Sequence, residues 1–125
     1  MAHKILIIDD DKVVIEVVKN LLEDEHYQIF TAYDGKEGIE RVESDPPDLI
    51  LLDIRMPTMN GYEFMRSLQE LRISEGKPMI PVIMLTGIEE MREVFKLEGA
   101  KGYITKPVDP FNLIQKVEEC LNAHG

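Results

Sequence analysis

The sequence contains few of the residues that build metal centres and disulfide frameworks. Cys120 is the single cysteine among 125 residues, so an internal disulfide is impossible and a small buried apolar role is expected for it. The three histidines, His3, His26 and His124, are too widely spaced for a zinc site. Met1 is followed by polar residues and a short strand-like run, with no long apolar stretch. We therefore predict a cytoplasmic protein without a signal peptide or a membrane span.

Basic residues are also scarce. Fourteen lysines and arginines stand against twenty-four aspartates and glutamates, which gives a net charge of -10. Because such a chain is repelled by a phosphate backbone, direct binding to nucleic acid is not expected, and a protein or a cation is the favoured partner. A chain of 125 residues, 44% of them hydrophobic, is long enough to bury one core. We predict one domain over residues 1–125, with no output domain within them.

Short apolar segments alternate with helical patterns along the chain. The predicted strands are residues 5–8, 28–32, 49–52, 82–85 and 102–104, of which the second and fifth are the weaker candidates. Helical patterns follow each of them, beginning near residues 12, 35, 60, 91 and 110. Five βα units in succession predict an α/β fold, a flavodoxin-like doubly wound domain. Its parallel sheet has the order 2-1-3-4-5 and carries helices on both faces.

The first predicted helix, about residues 12–25, contains more apolar residues than one stripe requires. The residues that follow the spacing i, i+3, i+4, i+7, i+8 form the predicted core stripe: Val14, Val17, Val18, Leu21 and Leu22. Val13 and Ile15 then lie off this stripe. Partial burial is the simpler role for these two residues, and docking of a partner is the alternative.

Polar residues stand where four of the predicted strands end. These residues are Asp9, Asp10 and Asp11 after the first strand, Asp53 after the third, Thr86 after the fourth and Lys106 after the fifth. Ligands of parallel sheets bind outside the carboxyl ends of the strands, so we expect one shared crevice. Each residue also has a simpler role, because an aspartate or a threonine there could cap the next helix and a lysine could be a solvated surface group.

The predicted strand order brings several carboxylates together. Strands one and three are neighbours about 4.8 Å apart, which places Asp9 and Asp10 close to Asp53. Two full charges at such a separation repel by roughly 4 kcal/mol at an effective dielectric of about 20. Either some of the carboxylates take up protons or a cation joins them. Oxygen ligands without histidine or cysteine suit a hard ion, and a small open cluster suits Mg²⁺ better than Ca²⁺.

Four segments taken together resemble the receiver domain of two-component response regulators, of the CheY-like type. They are "IIDDD", "LILLDIRMPTMNGYEF", "VIMLTG" and "GYITKP", and they occur in the order that this family has. The similarity extends over essentially the whole chain. Several spaced matches in the right order are far more specific than any single one.

The resemblance implies a role for each of these polar residues. Asp53 would be the phosphoryl acceptor. The residues implied to hold Mg²⁺, or Mn²⁺ in its place, are Asp9, Asp10, Asp53 and, through its backbone carbonyl, Arg55. Lys106 would bind a phosphoryl oxygen, and Thr86 would hydrogen-bond the attached phosphate. Tyr103 would be the aromatic switch that alters the face formed by the fourth helix, the fifth strand and the fifth helix.

By the same resemblance, the chain would be a signalling domain of a two-component system or a phosphorelay. A histidine kinase or a histidine phosphotransfer protein would donate the phosphoryl group, and a downstream protein or output domain would read the switched face. The first helix, with Val13 and Ile15, is the expected docking surface for the donor. No enzymatic activity is expected beyond phosphorylation and dephosphorylation of the domain itself.

Two other functions remain open at this point. Asp9, Asp11 and Val13 also fit the D-x-D-x-V pattern that opens haloacid dehalogenase-like phosphatases, in which Asp9 would be the nucleophile. That class needs a later acidic pair after the lysine and a cap domain, and neither is found in the sequence. The second alternative is a pseudo-receiver that binds partners without being phosphorylated.

Overall fold

Five parallel strands form the centre of the molecule. The computed structural model describes residues 2–55, 59–87 and 99–124. The strands are β1 (Lys4–Ile8), β2 (Gln28–Ala32), β3 (Leu49–Asp53), β4 (Val82–Thr86) and β5 (Ala100–Thr105). They form one sheet in the order β2-β1-β3-β4-β5, with parallel pairing throughout. The predicted strand order is confirmed.

Four helices are present in the described parts of the chain. They are α1 (Lys12–Asp24), α2 (Gly35–Ser44), α3 (Gly61–Ser74) and α4 (Pro110–His124). The last of these is the fifth helix of the sequence prediction. The fourth predicted helix, with Met91, Val94, Phe95 and Leu97, lies outside the described residues. Within residues 2–55, 59–87 and 99–124, no helix has the length and apolar character needed to cross a bilayer.

Side-chain caps fix where three helices begin. The Asp11 carboxylate accepts the backbone N–H of Val13 at 2.9 Å and thereby caps α1. Asp34 caps α2 in the same way. Asn60 and Glu63 form a reciprocal capping box at the start of α3. Each cap satisfies backbone donors that the helix leaves free, so the first turns of α1, α2 and α3 are stabilised.

Helices cover both faces of the sheet, as predicted, and divide the core into two layers. On one face, Phe64 and Leu68 of α3 are fully buried with Leu6 and Ile50 of the sheet. The core layer on the other face packs α1 and α4 against the sheet. Full burial of one such aliphatic or aromatic side chain contributes about 1.5–3 kcal/mol. Packing on both faces therefore makes the central strands a rigid support for the residues at their ends.

The prediction of the core stripe of α1 is wrong in part. The helix buries Ile15 together with Val18 and Leu22, whereas Val17 is 47% exposed and Val13 is 71% exposed. The helix starts at the Asp11 cap, and this fixes a rotation that turns the i, i+3, i+7 positions toward the sheet. Ile15, expected off the stripe, is a core residue and is not part of a docking surface.

Candidate functional site

The carboxyl ends of four strands meet in one crevice. Asp9 follows β1 directly and Asp53 is the last residue of β3, and pairing of Ile8 with Leu52 sets these two aspartates side by side. One carboxylate oxygen from each of Asp9, Asp10 and Asp53 lies within 4.8 Å of the other two. The structure therefore assembles the acidic cluster that the strand ends predict.

The three consecutive aspartates have different environments. Asp9 is fully buried, and its Oδ1 accepts the backbone N–H of Asp11 at 2.9 Å. Asp10 is exposed and forms the outer edge of the cluster. Asp11 points away to cap α1. Capping is thus confirmed for one of the three, while the other two carboxylates belong to the crevice.

Lys106 provides the positive charge in the crevice. Its backbone N–H donates to the carbonyl of Thr86 at 2.8 Å, and the Lys106–Pro107 peptide bond is cis. Its Nζ lies 2.9 Å from Asp9 Oδ2 and 3.4 Å from Asp53 Oδ1. Burial alone would lower the pKa of Lys106, but the contact with Asp9 and the charges of both carboxylates outweigh it and raise that pKa. Lys106 therefore stays charged between the two acids and is not a solvated surface lysine.

The carboxyl group of Asp53 is strongly perturbed. Burial, followed by the charge of Asp9, raises the pKa of Asp53 from 3.8 to about 7. Lys106 and the backbone N–H of Arg55, 3.3 Å from Asp53 Oδ1, lower this pKa and offset only part of the shift. One lysine does not balance the acidic cluster, so the crevice favours a further cation or a proton.

Thr86 and Tyr103 lie on the two strands next to the acidic cluster. Thr86 ends β4, is fully buried, and donates its hydroxyl hydrogen to the carbonyl of Gly87 at 3.0 Å. Tyr103 is half-buried on β5, paired with Met84, and its ring packs against the core layer that contains α3. Thr86 therefore lies at the same end of the sheet as the acids, and Tyr103 lies on the edge strand beside β4.

Comparison with known proteins identifies the family of this chain. The family model for the response regulator receiver domain matches residues 5–118. The chain belongs to this family. Receiver domains are signalling domains, so the dehalogenase alternative is wrong.

Several solved receiver domains are similar to this one over nearly its full length. A CheY-like receiver domain from Methanospirillum hungatei JF-1 is 35% identical, covers 98% of this chain and 96% of its own, and superposes with a TM-score of 0.85. The signal receiver domain of a signal transduction histidine kinase from Syntrophus aciditrophicus is also 35% identical, with coverages of 98% and 92% and a TM-score of 0.84. The chemotaxis response regulator CheY4 of Vibrio cholerae is 29% identical, with coverages of 96% and 99% and a TM-score of 0.81.

Receiver domains bind Mg²⁺ in an acidic pocket, and the residues of this crevice fit that ion. The ligands offered are carboxylate oxygens, as a hard cation requires. Asp9 Oδ2 is buried and, within the described residues, no donor reaches it with hydrogen-bond geometry beyond its ion pair with Lys106. The oxygen ligands suit a small cation, and the buried Asp9 Oδ2 has Lys106 as its one partner among the described residues. The backbone carbonyl of Arg55 stays a predicted ligand.

One residue of this receiver domain that contacts a predicted site residue was missed by sequence reasoning. Lys116 of α4 places its Nζ 5.9 Å from the centroid of the Tyr103 ring. A single lysine on the polar side of a helix carries no motif, and only the arrangement of the helix beside the edge of the sheet reveals this contact. Alternation of charge and hydrophobicity along α4 could not have identified it.

Proposed function

We propose that this receiver domain, over residues 1–125 and without an output domain in them, is a phosphoacceptor module of a two-component system or phosphorelay. Asp53 takes a phosphoryl group from a histidine kinase or histidine phosphotransfer protein, in the cytoplasm and in the presence of Mg²⁺. The observation that carries the proposal is the position of Lys106 Nζ, 2.9 Å from Asp9 and 3.4 Å from Asp53. A fixed cation beside a buried carboxylate is what transfer of an anionic group requires.

In the proposed reaction, an oxygen of the Asp53 carboxylate attacks the phosphorus of a phosphorylated histidine. A P–O bond forms, the P–N bond breaks, and the electron pair of that bond returns to the imidazole. Lys106 holds a positive charge where the phosphoryl oxygens arrive. Thr86 ends β4 on the same side of the sheet, and its hydroxyl would contact one of these oxygens. Asp9 and Asp10 would hold Mg²⁺, with the Asp53 carboxylate and the Arg55 carbonyl as further ligands. When bound, this ion offsets charge on the acceptor and on the transferred group.

The proposal is tested by intact-mass spectrometry after incubation with acetyl phosphate, with Mg²⁺ or with a chelator. We expect a Mg²⁺-dependent addition of one phosphoryl group to the wild type and none to Asp53→Asn. Asp11→Asn is the matched control, because Asp11 caps α1 outside the acidic cluster, and it should be phosphorylated normally. Absence of any addition to the wild type would favour a pseudo-receiver, and addition to Asp53→Asn would exclude Asp53 as the acceptor.

We further propose that Thr86 and Tyr103 switch the face formed by β5, α4 and the segment between β4 and β5. The Thr86 hydroxyl donates only to the adjacent carbonyl of Gly87 among the contacts described for it, a bond that a phosphate oxygen could replace. Movement of the hydroxyl toward the phosphate would leave space beside the Tyr103 ring. Phosphorylation then shifts the population between two ring orientations.

Thr86→Ala is expected to leave phosphorylation by acetyl phosphate within about twofold of wild type and to abolish most of the response of Tyr103. The reason is that the hydroxyl transmits the change but does not react. The measurement is the ring resonances of Tyr103 in the phosphorylated and unphosphorylated protein. Thr31→Ala, on the far strand β2, is the control. A Tyr103 response of wild-type size in Thr86→Ala would contradict this coupling.

The donor is proposed to dock on α1 and the start of α4. Both helices cover the same face of the sheet, and both begin at the end where Asp53 lies. Val13 is 71% exposed and Phe111 is 79% exposed, and both are next to the crevice in sequence, since Val13 follows the acidic residues and Phe111 follows Lys106. These two side chains present an apolar surface to an incoming helix or loop.

Phe111→Asp is expected to slow phosphotransfer from a phosphorylated histidine phosphotransfer protein at least tenfold, since burial of a phenylalanine stabilises a complex by about 1.5–3 kcal/mol. The rate with acetyl phosphate should not change, because that donor needs no docking. Ile73→Asp is the matched control. Ile73 is as exposed as Phe111, at 78%, but it lies in the last turn of α3, away from the end of the sheet where Asp53 lies. An equal loss with both donors, or an equal effect of Ile73→Asp, would exclude docking at Phe111.

A further inference from the structure

The ammonium group of Lys116 lies over the ring of Tyr103. The distance from Nζ to the ring centroid is 5.9 Å, within the range in which a cation is attracted to the negative face of an aromatic ring. Lys116 is half-buried on α4 between the core residues Leu113 and Val117. Leu113 and Val117 fix α4 on the sheet, and the partly buried Lys116 side chain reaches the Tyr103 ring from this helix.

Lys116 has a carboxylate within reach on its own helix. Glu119 is three residues further along α4, a spacing at which lysine and glutamate commonly pair. Its Oε1 instead accepts the side-chain N–H of Gln115 at 3.2 Å. Among the described residues, Lys116 forms no ion pair within 4.0 Å, so the Tyr103 ring is its assigned electrostatic partner.

The contact joins elements from opposite faces of the sheet. The Tyr103 ring packs on the core layer of α3, whereas α4 belongs to the layer of α1. The two side chains meet at β5, which is an edge strand of the sheet. The contact therefore links the Tyr103 ring to the helix on the other face of the sheet.

We propose that Lys116 is a positioning residue that holds the Tyr103 ring in the orientation of the unphosphorylated domain. Its part in signalling rests on the proposed function of Asp53. The contact favours one of the two ring orientations, so its removal moves their ratio by about 2- to 5-fold. Because coupling between two sites is reciprocal, a phosphoryl group on Asp53 and release of the ring from Lys116 favour each other by the same factor.

The test measures the ring resonances and χ1 couplings of Tyr103 in isotope-labelled protein that is not phosphorylated. Lys116→Met should shift the orientation ratio by about 2- to 5-fold, and Lys116→Arg should restore it, because a guanidinium also attracts the ring face. Lys101→Met is the control, since Lys101 is an exposed lysine on the same strand and has no described contact with the ring. An unchanged ratio in Lys116→Met, or a Lys116→Arg variant that behaves like it, would overturn the proposal.

A second measurement separates this inference from the proposed function. With acetyl phosphate and Mg²⁺, Lys116→Met should raise the steady-state ratio of phosphorylated to unphosphorylated protein, by no more than the factor by which the ring orientation shifts. If Asp53 is never phosphorylated but the ring responds to Lys116, the proposed function fails and the positioning role stands. If Asp53 is phosphorylated normally and the ring ignores Lys116, the positioning role alone fails.

Discussion

Lys106→Met is expected to lower the free energy of unfolding by about 2–4 kcal/mol at pH 7.5, because breaking a buried ion pair leaves its charged partner uncompensated. Asp9 is fully buried and Asp53 nearly so, and Lys106 is the cation in contact with both. Methionine keeps most of the length of the side chain and removes only its charge. The loss is therefore electrostatic, and it should show as a lower midpoint in urea unfolding.

The loss should diminish at low pH. The pKa of Asp53 is already raised to about 7, and removal of the ammonium raises it further, so this carboxyl is protonated at pH 5 and no longer repels Asp9. At pH 5 we expect less than half of the destabilisation seen at pH 7.5. Lys101 is an exposed lysine on β5, so Lys101→Met should leave the free energy of unfolding unchanged at both pH values. A loss of the same size at both pH values would indicate a packing defect instead.

Asp53→Asn is expected to stabilise the metal-free fold by about 1–2 kcal/mol at pH 8 and to have no effect at pH 4. Burial and then the charge of Asp9 raise the pKa of Asp53 from 3.8 to about 7, so the folded state binds this proton more tightly than the unfolded state does. The stability that the group contributes is fully present below pH 3.8 and is lost as the pH rises through about 7. Asparagine is uncharged at every pH, so Asp53→Asn does not lose this stability as the pH rises.

Mg²⁺ should reverse the order of stability, so that the wild type becomes more stable than Asp53→Asn. An ion that binds only the folded acidic cluster stabilises the folded protein according to its concentration, and the asparagine variant has lost one of the three negative charges of that cluster. Thermal unfolding in chelator and in millimolar Mg²⁺, at pH 4 and pH 8, separates the two effects. Glu23→Gln, an exposed carboxylate on α1, is the control. A less stable Asp53→Asn in chelator at pH 8 would refute the electrostatic explanation.

Strand positions and the location of the crevice follow from the sequence. The apolar runs that end at Asp9, Asp53 and Thr86 read as strands with polar residues at their carboxyl ends, and the structure places those residues together. The weakly patterned segment before Tyr33 was also predicted with correct bounds, as β2 (Gln28–Ala32). Local composition is enough for β1, β3 and β4, because a strand buried on both faces is apolar almost until it ends.

Other features depend on tertiary structure. The helix α1 contains apolar residues on most of its circumference, so its sequence does not select Ile15 over Val17 as a core residue; the cap and the packing against the sheet do. Asp9 and Asp11 are chemically identical, and both capping and metal binding use a carboxylate oxygen. Only the path of the chain makes Asp11 the cap of α1 and places Asp9 in the crevice. The raised pKa of Asp53 requires burial, which a single sequence does not report.

The cap of α1 is joined directly to the acidic crevice. Asp9 Oδ1 accepts the N–H of Asp11, and the Asp11 carboxylate in turn starts the helix that exposes Val13. The surface proposed to meet the donor and the carboxylates proposed to surround the reacting group are therefore parts of one rigid piece. A donor held on α1 has already given up its translational and rotational freedom relative to Asp53. Docking then gives phosphohistidine a high effective molarity at the Asp53 carboxylate, and the two reacting groups are already positioned before the phosphoryl transfer.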